Sequence, residues 1–161
     1  MILLFPGSFD PPHLGHLDIM RRAAALARSA SGGELLVAIA DHPEKRATLT
    51  LEQRIALLTG LCAGDRTTRI VTYRGATVNF ARTHGVTALV RGLRNPLDFE
   101  NEKSMAEVNR SHGFDTIFFM TAGAHAHLSS QLVRSVRSAG LPVDDLVPPA
   151  VAAALAVQPL P

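Results

Sequence analysis

The sequence has little charge imbalance, few aromatic side chains and almost no cysteine, and each shortage narrows its chemistry. The formal charge is +2, so the pI of about 9.2 reflects a slight excess of bases and not a basic face of the kind that grips nucleic acid. One tyrosine and seven scattered phenylalanines supply no stacking platform for single strands. The single cysteine, Cys62, falls in the helical pattern LEQRIALLTGLC and reads as a buried free thiol, which suits a reducing compartment. No run approaches the roughly 18 apolar residues that would span a bilayer. The opening MILLFPG loses its apolar character at Pro6 and has no basic residues ahead of it, so it reads as a strand and not as a signal peptide. A cytoplasmic protein is expected. Neither GxGxxG nor GxxxxGK[ST] occurs, which removes the usual dinucleotide and P-loop cradles.

What is present is the make-up of one globular domain: 161 residues, 47% hydrophobic and 19% charged, without repeats or low-complexity tracts. Five continuous apolar runs, at 2–7, 34–40, 69–73, 87–92 and 116–122, resemble strands buried on both faces. Between and after them lie stretches with helical spacing at 13–30, 50–62, 77–85, 97–113 and 129–140, several closed by glycine. This alternation predicts an α/β fold, a Rossmann-like doubly wound sheet of five parallel strands with helices on both faces. Ligands of such sheets gather beyond the carboxyl ends of the strands.

The loops at those ends hold Ser8, His13, His16, Lys45, Arg46, Arg91, Arg94, Ser129 and Ser130. Donors and cations of this number describe an anion site, with polyphosphate as the expected ligand, and helix amino termini at the same edge add unpaired N–H groups. His13 with His16, or His125 with His127, could instead supply nitrogen to a metal. The neighbouring cations and hydroxyls and the distance of any cysteine weigh against zinc.

GSFDPPHLGH (7–16) carries an HxGH signature and resembles the adenylyltransferase branch of the nucleotidyltransferase superfamily. RGLRNPLDFENEKSMAEVNR (91–110), LSSQLVR (128–134) and HPEKRATLTLEQRIAL (42–57) are similar, in the same order, to segments of phosphopantetheine adenylyltransferases. The resemblance spans most of the chain. It implies transfer of the adenylyl group of ATP to 4′-phosphopantetheine, giving dephospho-coenzyme A and pyrophosphate, with Mg²⁺ carried mainly on the ATP phosphates.

It also implies roles. His16 would stabilise the α-phosphate in the transition state. Ser8 and Phe9 would touch ATP, and Ser8 would orient the attacking phosphate. Lys45, Arg91 and Thr77 would bind the acceptor. Gly92, Leu93, Arg94, Glu102, His125, Ser129, Ser130 and Gln131 would hold the nucleotide. A homohexamer and feedback binding of coenzyme A are implied in the same way, with neither nucleic acid nor membrane as partner.

Other readings compete on the residues themselves. His13 would bind phosphate or bond a backbone carbonyl, and Gly15 would allow close approach of the nucleotide or tight helix packing. Asp98 and Glu102 lie four apart on one helix face and could pair with arginines. Ser129 and Ser130 could cap a helix. Lys45 could be a solvated loop charge. Pro12 and His13 bring the first loop closer to nicotinate-mononucleotide adenylyltransferases, and Gln131 stands where a third serine is usual. His125 and Ala126 depart from an aromatic and a serine. A nicotinate-mononucleotide adenylyltransferase and a catalytically silent nucleotide sensor are the rival readings. The alanine-rich VPPAVAAALAVQPLP (147–161) is expected to form a short helix serving packing or assembly.

Overall fold

The five apolar runs form β1 (Ile2–Gly7), β2 (Glu34–Ala40), β3 (Thr68–Tyr73), β4 (Ala88–Leu93) and β5 (Asp115–Met120), all parallel, in the spatial order β3-β2-β1-β4-β5. The computed structural model describes residues 1–44 and 46–159. From β1 the chain winds outward through β2 to β3, then returns to place β4 on the other side of β1. That reversal opens a crevice between the carboxyl ends of β1 and β4, the position at which doubly wound sheets bind ligands.

Helices α1 (Leu14–Arg28), α2 (Leu51–Leu61), α3 (Thr77–Thr83), α4 (Pro96–Ser111) and α5 (Ser130–Ser138) follow the strands in turn, and α6 (Pro149–Ala156) is the alanine-rich helix. Their starts follow capping chemistry. Thr50 and Gln53 form a reciprocal capping box on α2. Asn95 accepts from the Asp98 N–H ahead of Pro96, which tolerates the first helical position because it has no N–H to lose.

Side chains alternate across the central strands. Leu3 and Phe5 enter one core with Leu35, Val37, Ile39 and the inner face of α1, while Leu4 enters another with Leu36, Ala38 and Ala81 of α3. Leu3, Leu4, Leu35 and Leu36 have no exposed surface, and each is worth roughly 1.5–3 kcal/mol of burial. A third cluster joins Leu49, Val133 of α5 and Val151 and Leu155 of α6. The C-terminal helix therefore packs into this core.

Two expectations need correction. β3 and β5 are not buried on both faces. Both are edge strands, and Thr116 and Phe118 of β5 are only half-buried while Met120 is 55% exposed. Cys62 is not inside α2 but half-buried at its C-cap, where burial pushes the thiol up to about 11 and keeps it protonated. None of the described helices is long and apolar enough to cross a membrane.

Where α1 turns into β2, a Cβ on Gly33 would lie 1.8 Å from the Ala27 carbonyl oxygen. Backbone cannot yield there without moving the α1 terminus off the core. Gly33→Ala is expected to cost about 2–3 kcal/mol and lower the melting temperature by roughly 5–10 °C, read by thermal unfolding.

Candidate active site

The loop from β1 into α1 delivers two imidazoles to the crevice. His13 is the N-cap of α1, and its Nδ1 accepts the His16 N–H at 3.3 Å; the Nδ1 of His16 accepts the His13 N–H at the same distance. A backbone N–H can only donate, so both Nδ1 atoms carry lone pairs, and each neutral ring has its proton on Nε2. The rings stack with centroids 3.6 Å apart. Burial, the neighbouring Arg94 and then His125 lower His13 to about 4. Burial, His13, Arg91 and Arg94 hold His16 well below the usual histidine range. His16 therefore offers the cleft a neutral Nε2–H donor.

Gly15 makes this arrangement possible. A Cβ there would meet the His13 ring at 3.1 Å, so the small residue lets His13 fold over the helix start. His13 does bond backbone, but as the acceptor of an N–H and not, as expected, to a backbone carbonyl, because it caps α1.

β4 and the turn after it supply the cations. Arg91 donates from Nε and Nη2 to Glu102 at 2.7 and 2.8 Å, and from Nη1 to the Pro6 carbonyl at 3.0 Å. Arg94 pairs with Asp98 through Nε and Nη2 at 2.7 and 2.8 Å and reaches the Leu128 carbonyl at 3.2 Å. The bond from Arg94 holds the Asp98 carboxyl below the usual carboxylate range. Each guanidinium, with five N–H donors, keeps two beyond these three bonds. The carboxylates of α4 thus fix the planes of both arginines without exhausting their donors.

These groups line one cleft of about 320 Å³, whose wall brings together Ser8, Phe9, His13, His16, Arg91, Gly92, Arg94, Glu102, Ser129 and Ser130. Ser129 caps α5 by accepting the Leu132 N–H, and Ser130 Oγ donates to the Pro11 carbonyl. Four other expected residues lie off the wall. Leu93 is buried, its carbonyl taken by the Thr121 N–H. Thr77 begins α3, its hydroxyl 2.9 Å from that of Tyr73. His125 ends a short 3-10 turn near enough to lower His13, and Gln131 lines a separate groove with Thr48 and Arg134. Lys45 lies outside the described residues.

Reading the sequence missed the apolar wall of Phe5, Ile19 and Leu128, and Thr121 beside it. It also missed three groups beneath the first loop: Asp10, Arg54 and Arg134. A signal existed for one of them, because Arg54 occupies a position of the apolar stripe Leu51, Ile55 and Leu58 on α2.

The cytidylyltransferase-like family profile matches residues 4–136. The chain is 38% identical over 156 residues to a phosphopantetheine adenylyltransferase of Geotalea daltonii, covering 96% of this chain and 94% of the relative. It is 43% identical over 157 residues to one of Prochlorococcus marinus, covering 94% and 95%. A crystal structure of a provisionally named nicotinate-nucleotide adenylyltransferase from Vibrio parahaemolyticus superposes with a TM-score of 0.63, covering 96% of this chain and 97% of that one. At 14% identity that likeness speaks for the fold alone. With a family profile over most of its length and relatives near 40% identity end to end, the chain belongs to the phosphopantetheine adenylyltransferase family of cytidylyltransferase-like nucleotidyltransferases.

Proposed function

We propose that the chain transfers the adenylyl group of ATP to 4′-phosphopantetheine, releasing pyrophosphate and giving dephospho-coenzyme A, by direct in-line attack. The observation that carries this reading is the neutral His16 beside two oriented arginines in a cleft that needs no general base. The acceptor phosphate is already a nucleophile, so the protein's work is positioning and charge stabilisation. His16 donates Nε2–H to a non-bridging oxygen of the α-phosphate as negative charge grows there. Arg91, with Lys45 and Thr77, holds the acceptor, and Ser8 orients its phosphate. Gly92, Leu93, Arg94, Glu102 and His125 hold the nucleotide. Ser129, Ser130 and Gln131 meet the β- and γ-phosphates at the start of α5.

Mg²⁺ enters as part of its complex with ATP. Asp98 and Glu102, the carboxylates on the cleft wall, are each in a bidentate pair with an arginine, a donor set that suits an ion delivered on the triphosphate. Bound in this way, the ion would supply charge neutralisation for the departing pyrophosphate.

The unit spanning 1–161 works as a single domain in the cytoplasm. Coenzyme A, which contains the product, binds as a feedback inhibitor. Six copies assemble, which would cover Leu97, Met105 and Val108 exposed on α4.

Pyrophosphate release with ATP, Mg²⁺ and each acceptor tests the reaction. Release is expected with 4′-phosphopantetheine, lost on chelation of Mg²⁺ and unaffected by a chelator selective for transition metals. Release only with nicotinate mononucleotide would overturn the substrate, and release with neither would favour a sensor. His16→Ala should lower kcat roughly 10²–10³-fold while ATP still binds, because its bond strengthens in the transition state.

Stability should follow the histidines. Both fold with depressed pKa values, so the unfolded chain binds more protons below about pH 6.5. Their contribution is full above that pH and is lost as pH falls toward 4, the value of folded His13. Urea unfolding at stepped pH should show this slope, and His13→Thr, which retains a capping oxygen, should flatten it.

A further inference from the structure

Phe9 adopts φ 49°, the left-handed region that side chains rarely enter, and it is the only described residue other than glycine to do so. Its ring is buried against Phe5 and lies edge-on to His16, with centroids 4.9 Å apart. Something must hold the backbone on either side of it. One hold on either side comes from a single segment, residues 48–54, at the start of α2, and Arg134 of α5 adds another by donating to the Asp10 carbonyl.

On one side, Arg54 Nη1 donates to the Ser8 carbonyl at 2.8 Å. On the other, the Asp10 carboxylate accepts the N–H groups of Thr48 and Leu49, each at 2.8 Å. Arg54 and Asp10 are only 6% and 8% exposed. Among the described residues neither forms an ion pair. Buried charges without partners are kept for what they bond, and here both are spent on backbone.

Direction gives the contact its consequence. Arg54 does not line the cleft, so the Ser8 carbonyl that it grips is drawn away toward α2. In a planar trans peptide the N–H points opposite to the carbonyl, which turns the Phe9 N–H away from Arg54, and Ser8 and Phe9 both line the cleft. That N–H has no partner among the described residues.

We propose that Arg54 is a positioning residue for the transfer reaction: by fixing the Ser8 carbonyl it presents the Phe9 N–H and the Ser8 hydroxyl to the reacting phosphates, with Asp10 bracing the other side. This rests on the function proposed above. Arg54 touches no substrate itself and acts only through the Ser8–Phe9 peptide.

The test pairs Arg54→Met, which keeps the bulk and removes the donors, with Arg54→Lys, which keeps the charge and one donor group. Well below the melting temperature, Arg54→Met should lose about 30–100-fold in kcat, with KM for ATP and for 4′-phosphopantetheine changed less than about threefold. Arg54→Lys should recover about tenfold of that loss. Amide hydrogen exchange should speed up over residues 7–10 in Arg54→Met and stay as in the parent over β2.

A melting temperature that drops with kcat within threefold of the parent would make Arg54 a packing residue and overturn the proposal. Unchanged exchange over residues 7–10 would overturn it too. If Arg54→Met does not fold, Arg54→Lys carries both readings against the parent. A parent that releases no pyrophosphate with 4′-phosphopantetheine would instead sink the proposed reaction, and exchange alone would then decide whether Arg54 holds the turn.

Discussion

Two imidazoles that each accept the other's backbone N–H govern the geometry of the cleft. The pair works only while both rings are neutral, since protonation of either Nδ1 replaces an attractive bond by two facing N–H groups. Stacking at 3.6 Å adds to this, because two imidazolium charges at that separation would repel in a site already bounded by arginines. A helix cap and a proton assignment are thus one structure. The same bonds that begin α1 decide which nitrogen of His16 is left to donate.

The frame around that pair sets how strongly the nearby positive charge favours neutral histidine. Arg91 and Arg94 are each tied to a carboxylate of α4, which orients them and offsets their field at the imidazoles. An unpaired arginine in either place would push the histidines harder toward neutrality but would itself be free to swing. α4 can do this because Asn95 and Pro96 start it immediately after the last residue of the RGLR run. Asp98 and Glu102, one turn apart, then face the two arginines as a set.

Much of this was legible in the sequence. Buried parallel strands write themselves as unbroken apolar runs, and the topology needs only that pattern with helices between. Ser8, His16, Arg91, Arg94 and Ser129 were found because they sit at a strand's carboxyl end or on the segment that runs from it into the next helix, where local order and spatial order agree. The edge strands were misjudged because composition reports apolarity but not which strand has a neighbour on each side. Thr77, at the start of α3, and Gln131, in the first turn of α5, were named from a family pattern, which gives position along the chain and not the direction of a side chain.

The support beneath the first loop was illegible for a different reason. Arg54 reaches Ser8 across 46 residues, Asp10 reaches Leu49 across 39, and Arg134 reaches the Asp10 carbonyl across 124. Each of these contacts ends on backbone, whose atoms are the same at every position and leave no trace in residue identity. The side chains that offer themselves to a ligand advertise their chemistry by type. Those that aim the backbone do so by geometry alone, and a buried charge on an apolar helix stripe is the one mark they leave in the sequence. Arg54 carries that mark, which makes the stripe of α2 as informative about the cleft as the motif that faces it.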